Sequence, residues 1–140
     1  MSLVISGKVI SGHCGEGASK NLPIQLPLYP ETIRKALHER IHPGTIHFGT
    51  INVQLSRRLS IPDETCELDT GEELIKWSDR WVPERFRFKK CTLKVQSHEH
   101  RAWIYRPSAT PHRFRTDMLE IITEFIPDLR KDDDVDVMLD

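Results

Sequence analysis

Apolar and polar residues alternate along residues 3–10 and again between Thr45 and Leu55. A period of two predicts β-strands, because successive side chains of a strand point to opposite faces. We expect the second strand to be half-buried, with its polar face exposed. Its two faces consist of Ile51, Val53 and Leu55 on one side and Thr50, Asn52 and Gln54 on the other.

One amphipathic helix is predicted between these strands. Pro30 suits the first position of a helix, because its missing N–H would have no partner there. Ile33, Leu37 and Ile41 recur every four residues and provide a stripe for burial. The helix should end at residues 42–44, where a proline restricts the preceding residue and a glycine permits a turn.

The rest of the chain predicts further strands, at 86–88, 92–95 and 102–105. Residues 118–125 fit a helix or a buried strand equally well. Residues 63–79 are acidic and rich in turn residues, and Glu72 to Trp77 could form one or two helical turns. Several short strands with one early helix predict a mainly β fold, a small β-barrel with one or two short helices.

Length and composition favour a single domain over residues 1–140. A chain of this length, with 38% hydrophobic residues, can bury a core without disulfides. Cys14, Cys66 and Cys91 are odd in number and widely spaced, which predicts reduced thiols. No apolar run reaches the roughly 18 residues of a membrane span, and the first ten residues lack the features of a signal peptide. We therefore expect a cytoplasmic protein with no membrane partner.

Charge is unevenly distributed although the net charge is −1. Residues 80–115 carry ten Lys or Arg and two Glu, a net charge of +8. Residues 116–140 carry nine Asp or Glu and two basic residues, a net charge of −7. Either the basic strands pack against the acidic end, or they bind an anionic ligand.

A glycine series follows directly after the first strand, over residues 12–18. Glycine lets backbone N–H groups approach phosphate oxygens and allows positive φ angles. The series lacks the Gly-Lys-Ser/Thr ending of a P-loop and the long helix of a dinucleotide fingerprint. It predicts either a phosphate-binding loop or a hairpin with a glycine bulge.

Two other segments carry candidate polar groups. Thr50 and Asn52 place two neutral oxygens on one strand face, a set that suits Mg²⁺ bound beside nucleotide phosphates, although an ordinary surface would look the same. The loop that holds Thr110 and His112 could present a hydroxyl and an imidazole to a ligand, with Glu120 as a buried acceptor or a base. The alternative is a proline-stiffened connection to a strand with one satisfied carboxylate.

Taken in chain order, these motifs resemble the CTP-dependent riboflavin kinases of archaeal type. The resemblance rests on the glycine loop at 12–18, Gly-Thr-Ile-Asn at 49–52, Thr110-x-His112, and Leu-Glu-Ile-Ile at 119–122. It covers nearly the whole chain and is weakest over residues 61–85. Members of that family are small single-domain enzymes with a cradle-loop β-barrel.

The resemblance implies a Mg²⁺-dependent reaction of riboflavin with CTP that yields FMN and CDP. It also implies roles for individual residues. Gly12, Gly15, Glu16, Gly17, Ala18 and Arg130 would bind the cytidine nucleotide; Thr50 and Asn52 would hold Mg²⁺; Thr110 and His112 would contact the flavin; and Glu120 would lie at the ribityl 5′-hydroxyl.

The family pattern leaves two questions open in this chain. Its Pro-Gly-Thr motif is duplicated, so that Thr45 or Thr50 could align with the metal ligand; Thr50 is preferred because it retains Asn52. The segment after Glu120 is too short for both of the family's later motifs, and Arg130 can fill only one of the two roles. A non-catalytic flavin-binding or nucleotide-binding barrel is therefore the alternative.

Two further classes of function have a sequence basis. His98 and His100 share one strand face, so that a metal site completed by His47 or His112 is conceivable, as is a simple hairpin turn. Aromatic residues interleaved with basic ones are typical of single-stranded nucleic-acid binding, but a pI near 6.7 argues against it. The aromatic residues concerned are Trp81, Phe86, Phe88, Trp103 and Tyr105.

Overall fold

The computed structural model describes residues 3–11, 28–47, 50–76, 83, 85–107 and 117–139. This part of the chain contains seven strands, one α-helix and one 3₁₀-helix. They are β1 (Leu3–Ser11), α1 (Glu31–Arg40), β2 (Ile51–Leu55), the 3₁₀-helix (Asp63–Thr65), β3 (Leu68–Asp69), β4 (Phe86–Val95), β5 (His98–Pro107), β6 (Met118–Thr123) and β7 (Asp134–Leu139).

Six of these strands form a closed antiparallel β-barrel. The neighbouring strands follow the order β4, β5, β6, β2, β1, β7, and β7 pairs back with β4 to close the ring. The short β3 pairs with β4 outside the ring. Closure leaves the six barrel strands without a free edge, and it confirms the prediction of a mainly β fold with a small barrel.

The barrel wall separates two hydrophobic clusters. On β4, Cys91 and Leu93 point into the barrel interior and belong to one cluster. Phe86 and Phe88 point outward and pack with residues of α1 in the other. The period of two along the strand therefore holds, and both faces of β4 bury apolar side chains because α1 covers the outer one.

The helix has the position and the buried stripe that were predicted. Ile33, Leu37 and Ile41 are all buried, and the backbone N–H of Ile41 donates to Leu37 O to end the helix. Arg40 anchors that end to the barrel. Its Nε donates to Ala102 O at 3.0 Å and its Nη2 to Cys91 O at 2.7 Å.

Several elements differ from the sequence prediction or resolve it. Residues 86–95 form one continuous strand rather than two, and residues 118–123 form a strand that is buried at every position. Residues 72–76 contain no helix. Ile46 makes only an isolated bridge with Glu124, so that the second long strand begins at Ile51 rather than near Thr45.

The prediction that β2 exposes its polar face was wrong. Thr50 is 2% exposed and Asn52 is 7% exposed. Alternation separates the two faces of a strand, but it does not report whether another part of the protein covers the polar face. Buried polar side chains need hydrogen-bond partners within the protein, whereas exposed ones can bond to water.

Part of the uneven charge is balanced within the described fold. On β4, Lys94 lies opposite Asp136 of the acidic strand β7, as the first of the two readings expects. At the other end of β4, basic side chains contact the acidic segment that precedes the strand, a pairing that was not predicted from the sequence. This ionic cluster comprises the pairs Arg85–Asp69, Arg87–Asp69, Arg87–Asp63, Lys89–Glu67 and Arg106–Asp63.

Two further sequence expectations concern the cysteines and the membrane. Cys66 and Cys91 are both free thiols, as predicted, whereas Cys14 lies outside the described residues. Burial raises the pKa of the Cys66 thiol. Among the described residues, no helix has the length and apolar character needed to cross a bilayer.

Gly7 is required by the close approach of β1 to β2. A Cβ at this position would lie 2.7 Å from Gln54 O and 2.7 Å from Val53 Cγ1. Because the first of these atoms belongs to the backbone, the strand must shift to accommodate a side chain.

We expect Gly7→Ala to lower the free energy of unfolding by about 1 to 3 kcal/mol in urea titrations. Ser6→Ala, which removes only an exposed hydrogen bond to Asp136, should cost less than about 1 kcal/mol, and equal midpoints for the two variants would contradict this assignment.

The ionic cluster predicts a specific acid sensitivity. Hydrogen bonds from Arg85 lower the pKa of Asp69 from 3.8 to about 2. Because the pKa is lower in the folded state, the stabilisation is complete above about pH 4 and is lost as the pH falls towards 2. Asp69→Asn should therefore lower the free energy of unfolding by about 1 to 2 kcal/mol at pH 7, allowing for partial exposure, and by less at pH 3.

The matched control is Asp134→Asn, which removes the exposed pair between Lys8 and Asp134. Urea titrations at pH 7 and pH 3 should show little change for this variant, since exposed ion pairs contribute little. A pH-independent effect of Asp69→Asn would count against the Arg85–Asp69 pair as its source.

Candidate functional site

The candidate site is formed on the outer face of the barrel where β2 and β6 pair. Asn52 lies directly opposite Glu120 in the antiparallel register. On its other side Asn52 pairs with Ser11, the last residue of β1. We call Thr50, Asn52 and Glu120 the β2–β6 polar site.

Strand geometry explains why these side chains share a face. Ile51 and Val53 on β2, and Leu119 and Ile121 on β6, belong to the cluster inside the barrel. Residues between them in sequence therefore face outward. The alternation of the sequence predicts this division for β2 but not for β6, and the pairing of the two strands brings Asn52 and Glu120 together.

All three side chains of the β2–β6 polar site are buried, and Glu120 is only 5% exposed. Thr50 Oγ1 donates to Asn52 Oδ1 at 3.4 Å, which is long for a bond from a hydroxyl. A hydroxyl, an amide and a carboxylate thus lie together in a place where polar groups are costly to bury. Such a concentration of oxygen atoms can accept a proton or contribute to a cation site.

The oxygen pair of Thr50 and Asn52 fits a magnesium ion. Two neighbouring ligands in an octahedral shell of about 2.1 Å radius lie about 3.0 Å apart. The observed separation of 3.4 Å between Thr50 Oγ1 and Asn52 Oδ1 needs only a small adjustment to reach that value. Mg²⁺ commonly takes one or two protein ligands, so that this pair is a sufficient protein contribution.

The alternative metal ligand, Thr45, has a different role. It is exposed and lies in the turn after α1, where its Oγ1 donates to His42 O at 3.0 Å. Its backbone N–H donates to the same carbonyl oxygen. Thr45 thus closes a turn, and Thr50 is the threonine that lies beside Asn52.

Arg130 lies in an exposed turn next to the end of β1. The turn is attached to Val9, whose N–H donates to Asp133 O at 3.0 Å and whose C=O accepts from the N–H of Asp132 at 2.7 Å. The backbone N–H of Arg130 donates to Asp133 Oδ2. Arg130 therefore flanks β1 on the side opposite to Asn52.

The remaining predicted site residues lie outside the described residues. They are Gly12, Gly15, Glu16, Gly17, Ala18, Thr110 and His112.

The histidine-based metal prediction finds no support in the described part of the chain. His98 and His100 lie in β5, after a two-residue turn in which Gln96 has a φ of 57°. His100 Nδ1 lies 2.7 Å from Glu124 Oε1, an ion-pair contact when the ring is protonated. His47 packs against the ring of Phe125, and burial lowers its pKa. No group of three or more His, Cys, Asp or Glu in the described segments could hold a metal ion.

The alternative of base stacking does not fit four of its five aromatic residues, and the fifth, Trp81, lies outside the described residues. Each of the four is at most 5% exposed and packs in the cluster beneath α1. Rings that pack against one another in a core cannot stack on bases. These four residues are Phe86, Phe88, Trp103 and Tyr105.

Sequence reasoning also missed four buried side-chain polar atoms, within the described residues, that have no hydrogen-bond partner. They are Arg34 Nε, His38 Nδ1, Arg87 Nε and Trp103 Nε1, of which Arg87 Nε lies 3.4 Å from Asp69 Oδ2 in an ion pair. Arg34 and His38 are four residues apart and therefore share one side of α1. Their position next to the apolar stripe could have indicated partial burial, whereas nothing in the sequence indicates that the indole N–H of Trp103 lacks a partner.

No protein-family model matches this chain, and a search of curated proteins finds no significant match. The chemistry and geometry of the β2–β6 polar site are therefore the basis on which a function can be proposed.

Proposed function

We propose that this chain is a cytoplasmic phosphotransferase that resembles the CTP-dependent riboflavin kinases and converts riboflavin and CTP into FMN and CDP. The observation that carries the proposal is the buried pairing of Asn52 with Glu120, with Thr50 beside it. These are the residues to which the family resemblance assigns the metal and the proton acceptor.

The chemistry needs few groups, because phosphoryl transfer depends mainly on positioning and on charge neutralisation. Thr50 and Asn52 would hold Mg²⁺, which would neutralise charge on the CTP phosphates. Glu120 would accept the proton of the ribityl 5′-hydroxyl as its oxygen forms a bond to the γ-phosphorus. The bond from that phosphorus to the β-phosphate oxygen breaks, and CDP leaves with the electron pair.

The position of β1 supports a nucleotide on this side of the barrel. β1 ends at Ser11, directly opposite Asn52, and the predicted phosphate-binding series begins at the next residue. The turn that holds Arg130 is attached to the same strand two residues earlier, at Val9. The proposed nucleotide ligands thus comprise a series that begins where β1 ends and a residue in a turn attached to the same strand.

The first test is FMN formation from riboflavin, MgCl₂ and either CTP or ATP, followed by chromatography. We expect FMN with CTP, and a rate at least about 100-fold lower for Asn52→Ala and Thr50→Val, because a metal ion supplies several kcal/mol of charge stabilisation. Riboflavin binding, followed by the quenching of flavin fluorescence, should be largely retained.

The matched control is Thr92→Val, the same substitution on β4, away from the site. It should leave the rate unchanged. Unchanged turnover in Asn52→Ala would exclude the metal assignment, whereas flavin quenching by the unmodified protein without FMN formation would favour the non-catalytic flavin-binding alternative.

Glu120→Gln tests the proton acceptor separately. Glutamine keeps the size and the hydrogen-bonding capacity of the side chain but cannot act as a base, so that kcat should fall about 100-fold or more while KM for riboflavin stays within about threefold. Glu124→Gln makes the same change at the glutamate that contacts His100, and it should keep the original kcat. A parallel loss of kcat in both variants would point to a structural effect.

A further inference from the structure

A second region of the outer barrel surface has the features of a ligand site. A cleft of about 290 Å³ lies between α1 and the strands β3, β4 and β5. This volume is at the lower end of the range for small-molecule sites. We call it the α1 cleft, and its chemistry depends on Glu39, Arg40, Glu67, Lys90, Arg101 and Trp103.

Trp103, one of the residues that line the α1 cleft, carries a buried donor without a partner. Trp103 is 1% exposed, and its Nε1 makes no hydrogen bond. The ring is held in place, because the guanidinium of Arg40 lies 5.8 Å from its centre and Phe88 packs edge-on at 6.5 Å. A buried N–H without an acceptor typically costs about 1 to 3 kcal/mol. A ligand oxygen in the cleft could remove that cost.

The charges around the α1 cleft favour an anion. Glu67 is already engaged, since its Oε2 accepts from Lys89 Nζ at 3.0 Å and its Oε1 from the backbone N–H of Lys90 at 2.8 Å. Apart from Glu67, the charged residues that line the cleft are Arg40, Lys90, Arg101 and Glu39. With Glu67 balanced by Lys89, these four side chains carry a net charge of +2, counted as three positive and one negative.

We infer that the α1 cleft binds a small organic oxyanion, a carboxylate or a phosphate monoester, through Trp103 Nε1, Lys90 and Arg101. One oxygen accepts from the indole N–H, and the negative charge lies beside the two basic side chains. Ala36 and Leu68, which also line the cleft, contact the apolar part of the molecule. No residue of the cleft belongs to the β2–β6 polar site. A negative result for this inference therefore leaves the proposed function unaffected, and the reverse also holds.

The test follows the indole resonances of ¹⁵N-labelled protein during titration with benzoate, phenyl phosphate or benzamidine. Trp103→Phe identifies the Trp103 resonance by its absence. We expect a saturable shift of this resonance with benzoate, phenyl phosphate or both, and none with the cation benzamidine. The stronger of the two anions distinguishes a carboxylate ligand from a phosphate monoester.

Substitutions of Lys90 and Arg101 test the cleft without altering the hydrophobic core, because neither residue belongs to it. The double substitution Lys90→Gln with Arg101→Gln should raise the Kd of the bound anion about tenfold or more, the loss expected for one charge-assisted hydrogen bond. Lys94→Gln removes one charge from the same strand outside the cleft and should change the Kd by less than about twofold. No saturable shift with either anion, or an unchanged Kd in the double variant, would overturn the inference.

Discussion

The structure depends on the pairing of β7 with two strands at once. Val137 lies opposite Ile5 on β1 and opposite Leu93 on β4, and Leu139 pairs with both strands in the same way. These residues close the ring that turns a six-stranded sheet into a barrel. Closure creates an apolar interior and an outer surface, part of which is covered by α1 and by the segment around β3. Both candidate ligand sites lie on that outer surface.

The β2–β6 polar site owes its composition to strand pairing. β2 lies between β1 and β6, and the register places Ser11 and Glu120 on either side of Asn52. Asn52 therefore lies in a row between Ser11 and Glu120. Apolar side chains at these positions would avoid the cost of burying an amide and a carboxylate. Residues that conflict with good packing are expected at functional sites, so that this row of residues supports a functional role for the β2–β6 polar site.

Elements whose hydrogen bonds join residues close in sequence could be predicted, whereas elements that depend on residues far apart in sequence could not. The spacing of Ile33, Leu37 and Ile41 is sufficient to specify α1, since a helix makes its hydrogen bonds within itself. β6 was ambiguous because a strand that is buried on both faces has no period of two. β3 was not predicted because it pairs with residues about twenty positions later, Phe88 and Arg87.

The candidate site shows the same division. Thr50, Asn52 and Glu120 could be named from the sequence, but their burial and their common location depend on the register between β2 and β6. Trp103 was correctly predicted to lie in a strand. Whether its indole N–H has a partner is a property of the surrounding structure, and no pattern of residue types reports it.

The distribution of charge shows why net charge was a poor guide to the ligand. Within the basic segment, Arg85, Arg87 and Lys89 are balanced by the acidic residues of the ionic cluster. Lys94 lies between Glu99 on β5 and Asp136 on β7. Part of the apparent excess is therefore used to hold the barrel and its covering segments together. The positive charge at the α1 cleft comes from Arg40 on α1 and from Lys90 and Arg101, which share the outward faces of β4 and β5 with apolar residues, so that a site for an anion can exist on a protein whose net charge is close to zero.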